Sequence, residues 1–244
     1  MLNNALKNLI MSVIRQNLQA VRQRITYAAD SAQRDVHGID LLAVSKTFNA
    51  DAVIAAAEAG QTAFGENYLQ EALDKMNTIH ARRPDLALEW HFIGPIQSNK
   101  TKPIAEHFDW VHSVDREKIA QRLSEQRPAD MPPLNICLQV NISGEASKSG
   151  VLPADALVLA KTISTLPQLR LRGLMAIPEA EGGEAQQRAP FRQLHVLFNQ
   201  LRAAGLQLDT LSMGMSADMT AAIAEGATIV RIGSAIFGTR EYAK

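Results

Sequence analysis

The chain has a single cysteine, Cys137, in 244 residues. One thiol excludes an intrachain disulfide and a cysteine-based metal cluster, and it suits a reducing cytoplasm. Its neighbours in Leu134-Asn135-Ile136-Cys137-Leu138 are mostly apolar, so Cys137 reads as a small buried hydrophobe. A surplus of charge is missing too, since 25 basic and 25 acidic side chains leave a formal net charge of zero. No global field therefore draws the protein to nucleic acid or to an anionic membrane. Long apolar runs are absent. In the stretch 1–16, Leu2, Leu6, Leu9, Ile10, Val13 and Ile14 recur at helical spacing, but Asn3, Asn4, Lys7 and Arg15 interrupt them. This is an amphipathic helix expected to pack on its own domain, not a signal peptide or a membrane span. Neither G-x-G-x-x-G nor a P-loop lysine motif occurs, so dinucleotide and ATP binding lose their main support.

What is present is an alternation. After a helical segment at about 9–32, strand-like runs fall at 41–45, 62–65, 88–93, 110–113, 134–141, 169–176, 210–213 and 228–232. Helix-like runs separate them, among them 51–59, 69–79, 116–125, 154–166, 190–204 and 219–225. The polar stretch 178–189 reads as a βα loop. Eight such units point to an α/β fold, a single (β/α)8 TIM barrel over 1–244 with an extra N-terminal helical segment (1–35) packed on it. An open doubly wound sheet is the runner-up.

A barrel collects its chemistry at the carboxyl ends of the strands. Polar, glycine and charged residues do concentrate there. Lys46 closes the first run, Glu66 and Asn67 the second, His91 the third, and Asn141 the fifth. Ser212 and Gly214 close the seventh, and Arg231, Gly233 and Ser234 the eighth. A lysine held over an apolar floor at the end of a buried strand favours its neutral amine and can act as a Schiff-base nucleophile. Loops after the last two barrel strands frequently bind phosphate through backbone N–H groups, a close-approach glycine and a hydroxyl. Gly214, Ser216, Gly233 and Ser234 offer these. Ser216 equally reads as the N-cap of the helix that follows it, and one helix terminus can serve both roles.

A Schiff-base lysine facing a phosphate site across a barrel mouth meets the needs of pyridoxal 5′-phosphate (PLP). Arg231 is the candidate partner for its ring nitrogen; the alternative is a salt bridge at the surface or the barrel bottom. An arginine there leaves the ring nitrogen unprotonated and the ring a weakened electron sink.

The motifs Ala43-Val44-Ser45-Lys46, Phe64-Gly65-Glu66-Asn67-Tyr68-Leu69-Gln70-Glu71 and Trp90-His91-Phe92-Ile93-Gly94-Pro95 resemble signatures of the PLP homeostasis proteins. So do Asn141 to Gly150, Arg172-Gly173-Leu174-Met175-Ala176-Ile177-Pro178, Leu211-Ser212-Met213-Gly214-Met215-Ser216 and Val230-Arg231-Ile232-Gly233-Ser234. The resemblance runs from about Leu41 to Tyr242, and the fold it implies is similar to the N-terminal barrel of alanine racemase. It implies that Lys46 carries PLP as an aldimine, that Arg231 faces the ring nitrogen, and that Ser216, Gly233 and Ser234 hold the phosphate. Asn67, Ser212 and Met213 are then secondary contacts. Lys148 becomes a second acceptor for the cofactor, against its plain reading as a solvated loop lysine. Some bacterial members carry a second lysine where this chain has Phe48, and about ten N-terminal residues are extra.

The resemblance implies a PLP-binding protein that keeps intracellular PLP and vitamin B6 in balance without turnover of its own. It would act in the cytoplasm as a monomer, with PLP as its ligand and apo-enzymes as recipients. The alternative is a PLP-dependent racemase of the alanine racemase type. That activity uses a lysine and a tyrosine on opposite faces of the ring, the tyrosine coming from a second domain that is not expected after the eighth unit. Of Tyr27, Tyr68 and Tyr242, only Tyr68 falls near the mouth, where it either acts as an acid or packs on the helix it begins. A cofactor-free aldolase using Lys46 ranks last. No catalytic residue and no metal ligand set is assigned: His107 and His112 have no ligand spacing, and His91 reads as a hydrogen-bonded core residue rather than a base.

Overall fold

The computed structural model describes residues 2–145, 148–178 and 183–239, with side chains from Met11 onward. Tyr242 and parts of two quoted segments, 146–147 and 179–182, lie outside the described residues.

Eight parallel strands close into a barrel in chain order. They are β1 Asp40–Val44, β2 Ala63–Glu66, β3 Glu89–Phe92, β4 Trp110–Val114, β5 Leu134–Gln139, β6 Leu169–Met175, β7 Thr210–Ser212 and β8 Ile229–Ile232. Closure is made by β1 against β8, with Ala43 opposite Ile232, and the open-sheet alternative is set aside. The shell helices are α2 Ala50–Glu58, α3 Leu69–Arg82, α4 Thr101–His107, α5 Glu117–Gln126, α6 Ala156–Ser164, α7 Glu184–Ala203, α8 Met219–Ala224 and α9 Ser234–Phe237. Before the barrel runs α1, Leu2–Ser31, one continuous 30-residue helix. It packs on α2, α8 and α9, so its apolar stripe covers the seam where the barrel closes.

Helix α7 departs from expectation. The sequence pattern places a helix-like run only over 190–204. The helix instead begins at Glu184, inside the stretch read as a loop, and carries Pro190 in its second turn. The Gln186 side chain accepts from the Gly183 N–H (2.8 Å), and this cap starts the helix early. The rows of Phe191, Leu194, Leu197, Phe198 and Leu201 that α7 buries offset the missing proline donor.

Alternation along each strand divides its side chains between two layers. Phe64, Phe92, Val111, Ile136, Leu138 and Val230 point to the helices and belong to one large apolar cluster. Trp110, Cys137 and Met175 form a separate small cluster inside the barrel. The interior position of Cys137 bears out its reading as a buried hydrophobe, and burial pushes its thiol up to about 12, which leaves it inert.

Candidate cofactor site at the carboxyl-terminal mouth

Strand β1 ends at Val44, and Lys46 stands two residues later in a tight turn closed by Phe48 N–H donating to the Ser45 carbonyl (3.1 Å). Thr47 in that turn has φ +68°, an uncommon conformation for a β-branched residue. Its N–H donates to Glu71 Oε1 at 2.7 Å. The backbone carrying Lys46 rests on a buried ionic cluster. Lys75 Nζ donates to the Ser45 carbonyl (2.8 Å) and to Glu66 Oε1 (2.6 Å), and Ser45 Oγ donates to the same oxygen (2.6 Å). Burial raises the Glu66 carboxyl pKa, and the Lys75 ammonium opposes that shift.

Asn67 follows Glu66 at the end of β2. A Cβ on Gly94 would lie 2.2 Å from the Asn67 carbonyl oxygen, so the β3 loop needs glycine to lie flat against it. Ser113 Oγ, from β4, donates to the Gly94 carbonyl (2.6 Å) and ties a third loop into this side of the mouth.

On the other side, β7 ends at Ser212, and Met213 is buried behind the turn that follows. Gly214 takes φ +94°, with the Ala222 Cβ where its own Cβ would stand. Its carbonyl accepts from the Arg231 N–H at 2.9 Å, which stitches the β7 loop to β8. Ser216 is half-exposed in the next turn and is not the N-cap of α8. That position belongs to Asp218, whose Oδ1 accepts from the Met215 N–H (2.5 Å). Gly233 lies against Val44 at the end of β1, and Ser234 opens α9. Helix α1 secures both of these loops from behind. Arg24 Nη2 donates to the Ser216 carbonyl (3.2 Å) and Asn17 Nδ2 to the Ile236 carbonyl (2.9 Å).

Arg231 is buried, and its guanidinium crosses to the carboxyl ends of β6 and β7 rather than pairing at the surface or the barrel bottom. Nη1 donates to the Ser212 carbonyl (2.6 Å) and to Ser212 Oγ (2.8 Å), and Nη2 to the Ala176 carbonyl (3.0 Å). That leaves Nε–H and one Nη2–H with no acceptor among the described residues. Burial lowers its pKa to about 10, so it stays a cation at neutral pH.

Lys46, Asn67, Ser212, Met213, Ser216, Arg231, Gly233 and Ser234 thus come from four adjacent strands, β7, β8, β1 and β2. Lys148 does not join them. It follows β5, the strand opposite β1 in the ring, in a loop gathered by Asn141 Nδ2 donating to the Glu145 and Lys148 carbonyls (2.7 and 3.3 Å). Tyr68 is more than half exposed and Tyr27 is exposed on α1. Neither is packed into the mouth.

The mouth fits PLP on three counts. Glu66 Oε2, Asn67 Oδ1 and Asn141 Oδ1 are buried acceptors without partners among the described residues, and all three stand at carboxyl ends of strands. Arg231 has donors to spare. Two loops that run into α8 and α9 bring Gly233 and the Ser216 and Ser234 hydroxyls, none of them buried, to this end of the barrel.

The sequence profile of the alanine racemase N-terminal domain matches residues 15–241. The PLP homeostasis protein of Pseudomonas aeruginosa is 62% identical over 95% of this chain and 98% of its own. That of Escherichia coli K12 is 53% identical over 96% and 100%. The chain belongs to the pyridoxal phosphate homeostasis protein family. PipY of Synechococcus elongatus, solved with PLP bound, is 37% identical with a TM-score of 0.79, over 92% of this chain and all of that one. Alanine racemase from Corynebacterium glutamicum, at 17% identity and a TM-score of 0.67, shares the fold.

Lys75 carries no signal in the sequence, Glu66 reads there only as the end of its run and His112 only as a histidine without ligand spacing, yet the structure places all three at or below the mouth. Glu66 and Lys75 form the ion pair under the Lys46 turn, and the nine-residue step from β2 into α3 that joins them carries no motif. His112 was dismissed for its spacing to His107, whereas its partner is His91 on the neighbouring strand (2.9 Å). The contact bears out His91 as a hydrogen-bonded core residue. A signal was present, since both histidines sit on inward-facing positions of consecutive strands.

Proposed function

We propose that the protein binds PLP at the carboxyl-terminal mouth of the barrel and serves PLP homeostasis as a reversible carrier, without turnover of its own. The observation that supports this most directly is the arginine. A fixed guanidinium with two uncommitted N–H groups faces the mouth where a PLP enzyme built for carbanion chemistry needs an acid. PLP supplies an aldehyde for an amine and a pyridine ring able to act as an electron sink. The Lys46 amine is the nucleophile for that aldehyde, presented by the strained turn above Glu66 and Lys75. Arg231 donates a hydrogen bond to the ring nitrogen but gives up no proton, because its own pKa stays about three units above neutral. The ring is therefore held with little electron demand, a setting for retention rather than proton abstraction. Ser216, Gly233 and Ser234 take the phosphate, with Asn67, Ser212 and Met213 lining the remainder. Lys148, in the loop after the opposite strand β5, would be a second amine for PLP during exchange.

On this reading the protein works in the cytoplasm as a monomer and passes PLP to apo-enzymes. The single buried thiol and the balanced charge agree with it, and no described helix is long and apolar enough to cross a membrane. The racemase alternative has less behind it. The relatives above 50% identity are named homeostasis proteins, while the racemases are similar in fold alone.

The test is absorbance of the purified protein beside Lys46→Ala, followed by borohydride reduction and peptide mass mapping. A near-visible band in wild type, with the reduced cofactor mass on the Lys46 peptide, is expected. A wild-type protein that stays colourless with added PLP would overturn the reading. Steady alanine racemization at enzymatic rates would replace it with the alternative.

A further inference from the structure

Below the mouth, a single file of polar side chains runs through the barrel. It begins at the amino-terminal face, in a cavity of about 690 Å3 lined by Asp40, Glu89, His91, Trp110 and Arg172 among others. Glu89 Oε1 lies 2.7 Å from His91 Nε2, and His91 Nδ1 lies 2.9 Å from His112 Nε2. His112 Nδ1 lies 2.8 Å from Ser212 Oγ, which accepts from Arg231 Nη1 at 2.8 Å. His112 stands on β4 and Ser212 on β7, three strands round the ring, so their contact crosses the lumen.

The protons along this file have one order with both imidazoles neutral. An arginine only donates and an ionised carboxylate only accepts. The hydrogen bond from His91 holds the Glu89 carboxyl below its usual range, with help from the Trp110 indole. His91 therefore carries its proton on Nε2 and accepts at Nδ1. His112 must then donate from Nε2, and its Nδ1 accepts the Ser212 hydroxyl. Every donor points from the mouth toward Glu89. Burial above all, with the Arg231 charge acting the same way, pushes the His112 pKa well down, which keeps this ring neutral.

We propose that Glu89, His91 and His112 are positioning residues for Arg231: the carboxylate at the amino-terminal face sets the proton order, which turns the Ser212 hydroxyl downward and holds its oxygen as an acceptor for the guanidinium. The inference rests on the reading that Arg231 faces PLP. With the carboxylate gone, His91 is free to move its proton to Nδ1. His112 then donates from Nδ1 to Ser212, whose oxygen must accept from His112 and Arg231 together while its own proton turns toward the mouth. The guanidinium keeps the Ser212 and Ala176 carbonyls but shares the hydroxyl oxygen with a second donor, which weakens that bond.

Two measurements separate this inference from PLP binding itself. In the cofactor-free protein, histidine 15N spectra at neutral pH report which ring nitrogen is protonated. Wild-type His112 is expected to carry its proton on Nε2. Glu89→Leu, at a half-exposed position that leaves the shell intact, is expected to shift His112 toward Nδ1–H. Ser212→Ala, at the other end of the file, is expected to leave the tautomer unchanged. With PLP added, both variants are expected to bind roughly tenfold more weakly and to show a displaced absorption band, the size associated with one hydrogen bond to a charged group. A wild-type His112 protonated on Nδ1 would overturn the proposal. So would a tautomer that follows Ser212→Ala instead of Glu89→Leu, because the order would then be set from the arginine end. Unchanged PLP affinity and spectrum in both variants would leave the proton order standing and refute its coupling to the cofactor.

Discussion

The two layers of this barrel are dominated by different chemistry, although the shell holds the Glu66–Lys75 pair and the lumen the small Trp110, Cys137 and Met175 cluster. Between strands and helices, Phe64, Ile136, Leu138 and Val230 have no exposed surface and belong to one apolar cluster. Inside the strands, His91, His112, Ser212 and Arg231 are nearly as buried but are held by directed bonds. The shell gains free energy in proportion to area and tolerates many arrangements of similar volume. The lumen gains little from burial, because each polar group gives up its hydration and must recover it from a neighbour of the right polarity. A protein that carries a charged cofactor at one end of its barrel thus separates the two tasks. Stability resides in the shell and orientation in the lumen.

Substitutions can break that division in graded ways. The largest loss of stability is expected in the shell, where Ile136→Ala should cost about 2–5 kcal/mol in denaturant unfolding. Its folded fraction should bind PLP with unchanged affinity. A loss of affinity equal to that of a lumen variant would erase the distinction.

Arg231→Leu is expected to show the reverse balance. Exchanging a buried ion for an apolar side chain offsets part of what it removes, although the Ser212 and Ala176 carbonyls lose their donor, so stability should fall by only about 1–3 kcal/mol. Equilibrium titration with PLP should show affinity reduced tenfold or more. A folded variant with wild-type affinity and spectrum would remove the arginine from the site.

Asn17→Ala acts from outside both layers. It deletes the bond to the Ile236 carbonyl that secures α9, which is expected to cost about 1 kcal/mol. Inorganic phosphate should compete less well with PLP in this variant, and unaltered competition would show that α1 supports the barrel without supporting the phosphate loops.

The smallest effect concerns acid. The Glu89 pKa is depressed in the folded protein, so the folded state binds fewer protons there than the unfolded chain. Its contribution is fully present above the ordinary carboxylate pKa and is lost as pH falls through the lower folded value. Unfolding midpoints measured from pH 6 down to pH 3 should therefore decline less steeply in Glu89→Leu than in wild type. A steeper decline would place the proton elsewhere on the file.

The positions of Lys46, Arg231 and the two turns proposed for phosphate were legible in the chain because each follows or ends a strand, and strand ends in a barrel share one face. The ion pair of Glu66 and Lys75 was not, since a helix and a strand had to meet before the two charges did. The early start of α7 was not legible either, because its first turns at 184–189 are polar and the apolar face that holds the helix begins only at Phe191. Phe48 makes sense only in three dimensions: its ring lies 5.1 Å from that of Phe237 and joins the Lys46 turn to α9.

The pattern of apolar and polar residues by itself determined the number of strands, their parallel order and the face on which the chemistry gathers, because those follow from periodicity and from the geometry of eight βα units. Ring closure decided the rest. Only when β8 pairs with β1 does a lumen exist, and only across a lumen do His112 and Ser212, 100 residues apart, come within a hydrogen bond. Hydrogen bonds act over about 3 Å and require direction, so they are settled by tertiary contact, whereas hydrophobic burial reads a pattern that the chain already carries.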